Sequence, residues 1–238
     1  DSARQAGIDI KVDLYPYAAA NTYGYILFPP WALNGGTEAL ANRLKNPDLK
    51  EKIIDGMKEI LLKDETGDDF SLIQFNDLFS APEFNGKTLE DYMLAKGYPN
   101  TLDGGIEAII DLELAGGFLA IYHEMDEPDI INILKHPESM IETDGDLINP
   151  NSKIFPHPRS YGSFPRVLSK YVRELKILTL EQAIQKMTSM TAMQIRQDDL
   201  GKIVSGAYAD LIVFDEDEIE DQATYTNSKV FSKGIEYL

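Results

Sequence analysis

"IDIKVDLY" (residues 8–15) alternates strictly, with Ile8, Ile10, Val12 and Leu14 on one face and Asp9, Lys11 and Asp13 on the other. A two-residue period marks a strand, because successive side chains point to opposite faces. Immediately upstream, "DSARQAG" (1–7) reads as the last turns of a helix closed by Gly7. Immediately downstream, Pro16 in "YPYAAANTYGY" lacks the N–H a sheet ladder needs, so pairing stops and a turn-rich loop begins. A helix end feeding straight into a strand is the pattern of an αβαβ series, and it reads as a piece of a larger one.

The remaining elements continue that pattern. "TEALANRL", opening on a Thr37 cap, and "PDLKEKIIDGMKEILLK" read as two helices over 37–63. The second starts at Pro47 and carries an apolar stripe of Leu49, Ile53, Met57, Ile60 and Leu61. "FSLIQF" (70–75) is a short strand. "TLEDYMLAKG" has a Thr88–Asp91 capping box and a closing Gly97. "LDGGIEAIIDLELAGG" is a helix weakened by Gly104 and Gly105, "FLAIYHEM" a strand, and "DEPDIINILKH" a helix with Asp126 at its cap. "SMIETD" is a strand stub, followed by helices at "PRVLSKYVREL" and "TLEQAIQKMTSM", the latter with a Thr179–Gln182 box. "ADLIVFD" closes the series as a turn-and-strand element. Strands alternating with helices define an α/β chain with a parallel sheet.

Composition narrows the function. The net charge of −18 repels phosphate backbones, so nucleic acid is not an expected partner. Apolar runs such as "LIVF" (211–214) are far too short for a membrane helix. "DSARQAG" has no basic segment followed by an apolar core, so no signal peptide is read and a cytoplasmic location is expected. There are no cysteines and three histidines, His123, His136 and His157, at spacings that make no self-contained zinc motif. His136, after a helix and before Pro137, reads as a helix C-terminal residue.

One constellation suggests chemistry. Asp144 follows the strand stub in "MIETDG", where it is either a turn residue or a strand-end carboxylate of the kind α/β barrels use for catalysis. "FPHPR" then holds His157 and Arg159 in a loop stiffened by prolines. Arg159 either forks onto a ligand carboxylate or pairs with an internal acid. Tyr15, Tyr17 and Tyr23 follow the first strand, as loop-mouth packing or as phenol donors to a substrate.

"DLYPYAAANT", "PPWALNGG", "HPESMIETDG", "FPHPRSYGSFPRVLSKYVRE", "LTLEQAIQKMTSMTA" and "GKIVSGAYADLIVFD", in that order, resemble the N-acyl-D-amino-acid deacylases (D-aminoacylases) of the amidohydrolase superfamily. "HPRSYGSFPRVL" is the specific part, whereas the last stretch is general to amidohydrolases. The resemblance implies the C-terminal part of a metal-dependent hydrolase (β/α)8 barrel, with an inserted small α+β subdomain and part of a β-sandwich-like domain. Residues 1–36 would be a barrel strand and active-site loop, and 37–135 the inserted, mostly helical subdomain. Residues 136–195 would be the last barrel strand with its loop and helices, and 196–238 part of the C-terminal β domain. Whole members are expected to be about twice this length.

The implied reaction is zinc-dependent hydrolysis of an N-acyl-D-amino acid to a D-amino acid and a carboxylate. The resemblance makes Asp144 the general base, with a share in the metal, whose other ligands would lie outside this sequence. It makes Arg159 the clamp for the substrate's α-carboxylate, with Tyr17 as helper and His157 bracing the binding loop. The isolated chain is then expected to be inactive, with a small-molecule substrate and neither nucleic acid nor membrane as partner; a homo-oligomer is left open. The alternatives are a dihydroorotase- or hydantoinase-like amidohydrolase acting on a cyclic amide, and a non-catalytic α/β fragment. Thr143 where the family has Ser, Thr191 where it has Pro, and a longer loop before His157 leave the reaction class intact and bear on substrate choice.

Overall fold

A computed structural model describes residues 2–64 and 66–238. In chain order the elements are α1 (Ser2–Gln5), β1 (Val12–Leu14), β2 (Ala20–Tyr23), α2 (Gly36–Leu44), α3 (Pro47–Asp64), β3 (Ile73–Leu78), α4 (Leu89–Lys96), α5 (Leu102–Leu114), β4 (Phe118–Tyr122), α6 (Glu127–Lys135), β5 (Ser139–Ile141), α7 (Arg159–Arg166), α8 (Leu180–Met187), α9 (Ser189–Gln194), β6 (Val213–Phe214) and β7 (Ile235–Tyr237). They form two compact units.

The first unit comprises the residues up to Tyr17, 126–147 and 158–238. Its central feature is parallel pairing of β1 with β5, in the register Val12–Ser139, Asp13–Met140 and Leu14–Ile141. The Glu142 amide extends the ladder by donating to the Leu14 carbonyl at 3.0 Å. The strand expected over 8–15 is shorter, and Ile8, Ile10 and Val12 are about half exposed rather than core. Gly7 closes α1 with φ of 80°, as its sequence position suggests, while Asp1 of that turn lies outside the described residues.

Lys186 of α8 fixes the start of β5. Its ammonium, only 5% exposed, donates to the His136 and Ser139 carbonyls at 2.6 and 2.9 Å and to Ser139 Oγ at 2.8 Å. Burial lowers its pKa, and those acceptors are what keep a cation there tolerable. His136 caps the C-terminus of α6, as expected. β6 and β7 form a short antiparallel pair, so of "ADLIVFD" only Val213 and Phe214 are strand.

The second unit comprises 18–125 and 148–157. It is an antiparallel sheet of order β2-β4-β3, with a core built from Phe28, Ile53, Met57, Leu61, Phe75 and Phe118 among others. Ile53, Met57 and Leu61 are fully buried, so the α3 stripe behaves as its spacing predicts. The Thr88–Asp91 capping box of α4 is formed on both sides, and Gly97 takes φ of 82° at its end. Thr37, expected as a cap, lies inside α2, because the helix starts two residues earlier, after Gly35, which takes a left-handed backbone with φ of 91°.

Gly105 looks like a weakness in α5 and is instead a packing requirement. A Cβ there would lie 2.0–2.6 Å from the Phe70 ring, which is itself buried. Helix propensity favours Gly105→Ala by about 1 kcal/mol. Overpacking a filled core costs about 1–3 kcal/mol. With several ring atoms inside contact distance the second effect wins. Gly105→Ala is therefore expected to lower unfolding stability by about 1 kcal/mol or more in chemical denaturation. A gain in stability would contradict this packing.

Candidate functional site

Parallel pairing brings two strand ends to one place. Tyr15 leaves the end of β1, and Glu142, Thr143 and Asp144 leave the end of β5, directly beyond the Leu14–Ile141 pair. Asp144 adopts φ of 42°, a left-handed conformation that Asp tolerates better than most residues. The turn reading of "DG" is thus half right, because the unusual backbone falls on the aspartate and not on the glycine. Gly145 serves another purpose. A Cβ on it would come within 2.9 Å of Ser160 Cα, so its bareness lets the loop lie on the start of α7. The Asp146 amide then donates to Ser160 Oγ at 3.1 Å.

That close approach sets Asp144 beside Arg159, the first residue of α7. Arg159 Nη2 is 2.7 Å from Asp144 Oδ2. The burial of the two is opposite: the arginine side chain is 5% exposed and the aspartate 57%. The guanidinium also lies over the Tyr15 ring, 4.5 Å from its centroid. Tyr15 is half-buried, and burial followed by the Asp144 and Glu142 charges outweighs Arg159 in raising its phenol, so it stays protonated and able to donate. Glu142 is pushed up as well, first by burial and then by the Asp144 and Asp13 charges. Arg159, Tyr15 and Asp144 therefore form one cluster whose carboxylate faces solvent.

Tyr17 is elsewhere in the same unit. It is 2% exposed and its hydroxyl donates to Asp221 Oδ2 at 3.4 Å. The Arg166 guanidinium stacks on its ring at 4.6 Å. The tyrosine in contact with Arg159 is Tyr15, two residues earlier. The sequence flagged both, and nothing local distinguishes them, since the choice depends on which arginine of α7 each ring meets. His157 belongs to the second unit, where it is 1% exposed with a ring nitrogen 3.0 Å from the Ala19 carbonyl. Glu142, a member of the acidic strand end, carried no signal beyond its position in the stub.

The resemblance puts the main metal ligands outside this sequence. Among the described residues no group of three or more His, Cys, Asp or Glu side chains is placed to hold a metal ion. His123 is 3.1 Å from Gln74 Oε1, and His136 Nδ1 accepts from the Glu138 amide. Asp144 and Glu142 alone do not make a tetrahedral zinc site.

Residues 129–237 match the amidohydrolase family model. Over all 238 residues the chain is 33% identical to an N-acyl-D-glutamate deacylase of Alcaligenes xylosoxydans xylosoxydans, of which it spans 38%. Over 154 residues it is 37% identical to a D-aminoacylase of the same organism, covering 29% of it. Its fold superposes on the N-acyl-D-glutamate deacylase of Bordetella bronchiseptica, solved with zinc and a phosphonate mimic of the tetrahedral intermediate. The TM-score is 0.71 at 28% identity, covering 99% of this chain and 39% of that one. The chain is thus related to the amidohydrolase family. More particularly, it is homologous along its length to a segment of the N-acyl-D-amino-acid deacylases, with their mixed α/β fold. It spans well under half of each of these relatives, a larger deficit than its motifs suggest.

The asymmetric burial of the ion pair has a measurable consequence. Asp144→Asn takes the counter-charge from a buried guanidinium but leaves it an amide oxygen and the stack on Tyr15, so it is expected to cost about 1–2 kcal/mol. Arg159→Ala removes a buried stem and its stack, and is expected to cost about 2–3 kcal/mol. Equal costs in denaturant titrations would contradict this picture of the pair.

Proposed function

We propose that the protein carrying this chain hydrolyses N-acyl-D-amino acids, and that this chain supplies the acid–base and carboxylate-recognition part of its site. The observation that carries the proposal is the buried Arg159 guanidinium, held over the Tyr15 ring and already occupied by a carboxylate, that of Asp144. A planar fork in that setting suits bidentate binding of a substrate carboxylate. The zinc of the Bordetella relative points to a metal in the whole protein, whose ligands would come chiefly from residues outside this sequence.

In this reading the α-carboxylate of the substrate replaces Asp144 on Arg159. One anion is exchanged for another, so the guanidinium is not left buried and uncompensated. Tyr15 donates alongside it, in the role sequence reasoning gave to Tyr17. Asp144, freed at the strand end, takes a proton from the attacking water. The water oxygen bonds to the acyl carbon, the C–N bond breaks, and Asp144 returns the proton to the leaving amine. His157 braces its loop through the Ala19 carbonyl. The barrel, insertion and β-domain assignments of 1–36, 37–135, 136–195 and 196–238 belong to this same proposal. A hydantoin-type cyclic amide offers Arg159 no free carboxylate, and against a dihydroorotate-type one, which carries a carboxylate, stands the likeness to N-acyl-D-amino-acid deacylases. No helix among the described residues is long and apolar enough to cross a membrane, and the substrate is taken as a free small molecule.

Steady-state kinetics on the full-length protein test the proposal. Asp144→Asn is expected to lower kcat by roughly a thousandfold or more, the scale of losing a general base. Arg159→Ala is expected to raise KM for an N-acetyl-D-amino acid by about tenfold or more and to leave the corresponding carboxamide nearly unaffected. Turnover of Asp144→Asn within tenfold of wild type, or equal effects of Arg159→Ala on both substrates, would overturn it.

A further inference from the structure

The second arginine of α7 has a carboxylate and a tyrosine of its own. Arg166 Nη1 is 3.1 Å from Asp221 Oδ2, and its guanidinium stacks on Tyr17. Asp221 also accepts from Tyr17 on the same oxygen and from Ser169 on Oδ1, at 3.3 Å. Its side chain is 10% exposed. Arg166 Nε donates to the Pro16 carbonyl at 2.7 Å, and Tyr171 donates to the same oxygen at 3.4 Å. One carboxylate, in the segment before β7, thus gathers the loop after β1 and the continuation of α7.

The local backbone is built around this junction. Pro165 inside α7 offers no N–H, and the helix continues over Val167–Glu174 with wide, π-type turns. That continuation turns Arg166, Ser169 and Arg173 toward the segment 216–221, where Arg173 donates to the Glu216 and Ile219 carbonyls at 3.0 and 2.8 Å. Gly162, one turn into α7, has no room for a Cβ, which would lie 2.4 Å from the Tyr17 hydroxyl and 2.8 Å from Asp221 Cβ. The adjoining cleft of about 340 Å³ is lined by Tyr17, Arg166, Asp221 and Tyr225. Arg166 there answers Asp221, while Lys170 and Glu220 pair with Glu127 and Lys233 beside the cleft. Burial, and then the Asp221 charge, raise the Tyr17 phenol and keep it a donor.

We propose that Asp221 is a positioning residue, one that holds the Tyr15–Tyr17 loop against α7 so that Arg159 keeps its place on Tyr15 for the substrate carboxylate. The logic is mechanical. Tyr15 and Tyr17 are joined by a proline with fixed φ, and Arg159 and Arg166 by one helix. Fixing Arg166 on Tyr17 therefore sets the height of Arg159 over Tyr15. The role rests on the deacylase reading for its substrate but not for its geometry, and the two can be tested apart.

The experiment compares Asp221→Asn, Gly162→Ala and Arg159→Ala with wild type in the full-length protein, by amide hydrogen exchange and by kinetics with N-acetyl-D-amino acid and its carboxamide. Asp221→Asn removes the charge at constant shape, and Gly162→Ala wedges the junction without touching a charge. Both are expected to speed exchange about tenfold or more in the peptides covering residues 12–18 and 159–166. Both should raise KM for the free acid by roughly fivefold while kcat stays within about twofold. Unchanged exchange in both peptides overturns the holding role. Faster exchange with unchanged KM, while Arg159→Ala still raises KM, overturns the link from Asp221 to the clamp. An Arg159→Ala without effect on KM sinks the deacylase clamp instead, and the exchange data then decide the holding role alone.

Discussion

The parallel register that pairs Leu14 with Ile141 is the constraint on which the rest depends. Parallel strands point their C-terminal ends the same way, so whatever follows them is delivered to one edge. Here Tyr15 and Asp144, far apart in the chain, are delivered together. A one-residue slip of either strand would turn its side chains to the face opposite those of its partner and part the two residues. Lys186 opposes such a slip, because its ammonium is tied to Ser139 at the head of β5 and to His136 just before it.

From that edge the structure runs through α7. Arg159 and Arg166 lie seven residues apart, two turns along one helix face. Each stacks on a tyrosine of the "YPY" loop and each meets an aspartate. The two clusters differ in exposure. Asp221 is enclosed and engaged on both oxygens, while Asp144 stands open to solvent on a left-handed backbone. An enclosed carboxylate is difficult to exchange, whereas an exposed one can give way to another anion that keeps the buried guanidinium paired. The same arginine–tyrosine–aspartate chemistry thus serves as a fixed joint in one place and a replaceable contact in the other.

Local elements were largely legible in the sequence, because capping and periodicity are short-range. The capping boxes at Thr88 and Thr179, the stripe of α3 and the strand stub before Asp144 all form as their spacing predicts. What remained hidden depends on contacts across the chain. No local signal tells that Gly105 makes room for Phe70, that Gly145 makes room for Ser160, or that Tyr17 answers to Asp221, 204 residues away. Asp144, Arg159 and the tyrosine pair were legible as candidates through motif resemblance, but which tyrosine faces which arginine was not. Zinc was legible only through that resemblance, and the side chains described here do not assemble a site for it.

The central step is the exchange of one carboxylate for another on Arg159. The most direct measurement is a crystal structure of the full-length protein with a non-hydrolysable N-acyl-D-amino acid analogue that keeps its free carboxylate. The ligand carboxylate is expected within about 3 Å of the Arg159 guanidinium, with Asp144 turned from the arginine toward the acyl carbon. A bound analogue with the Asp144–Arg159 pair intact, and its carboxylate held by other groups, would contradict that exchange.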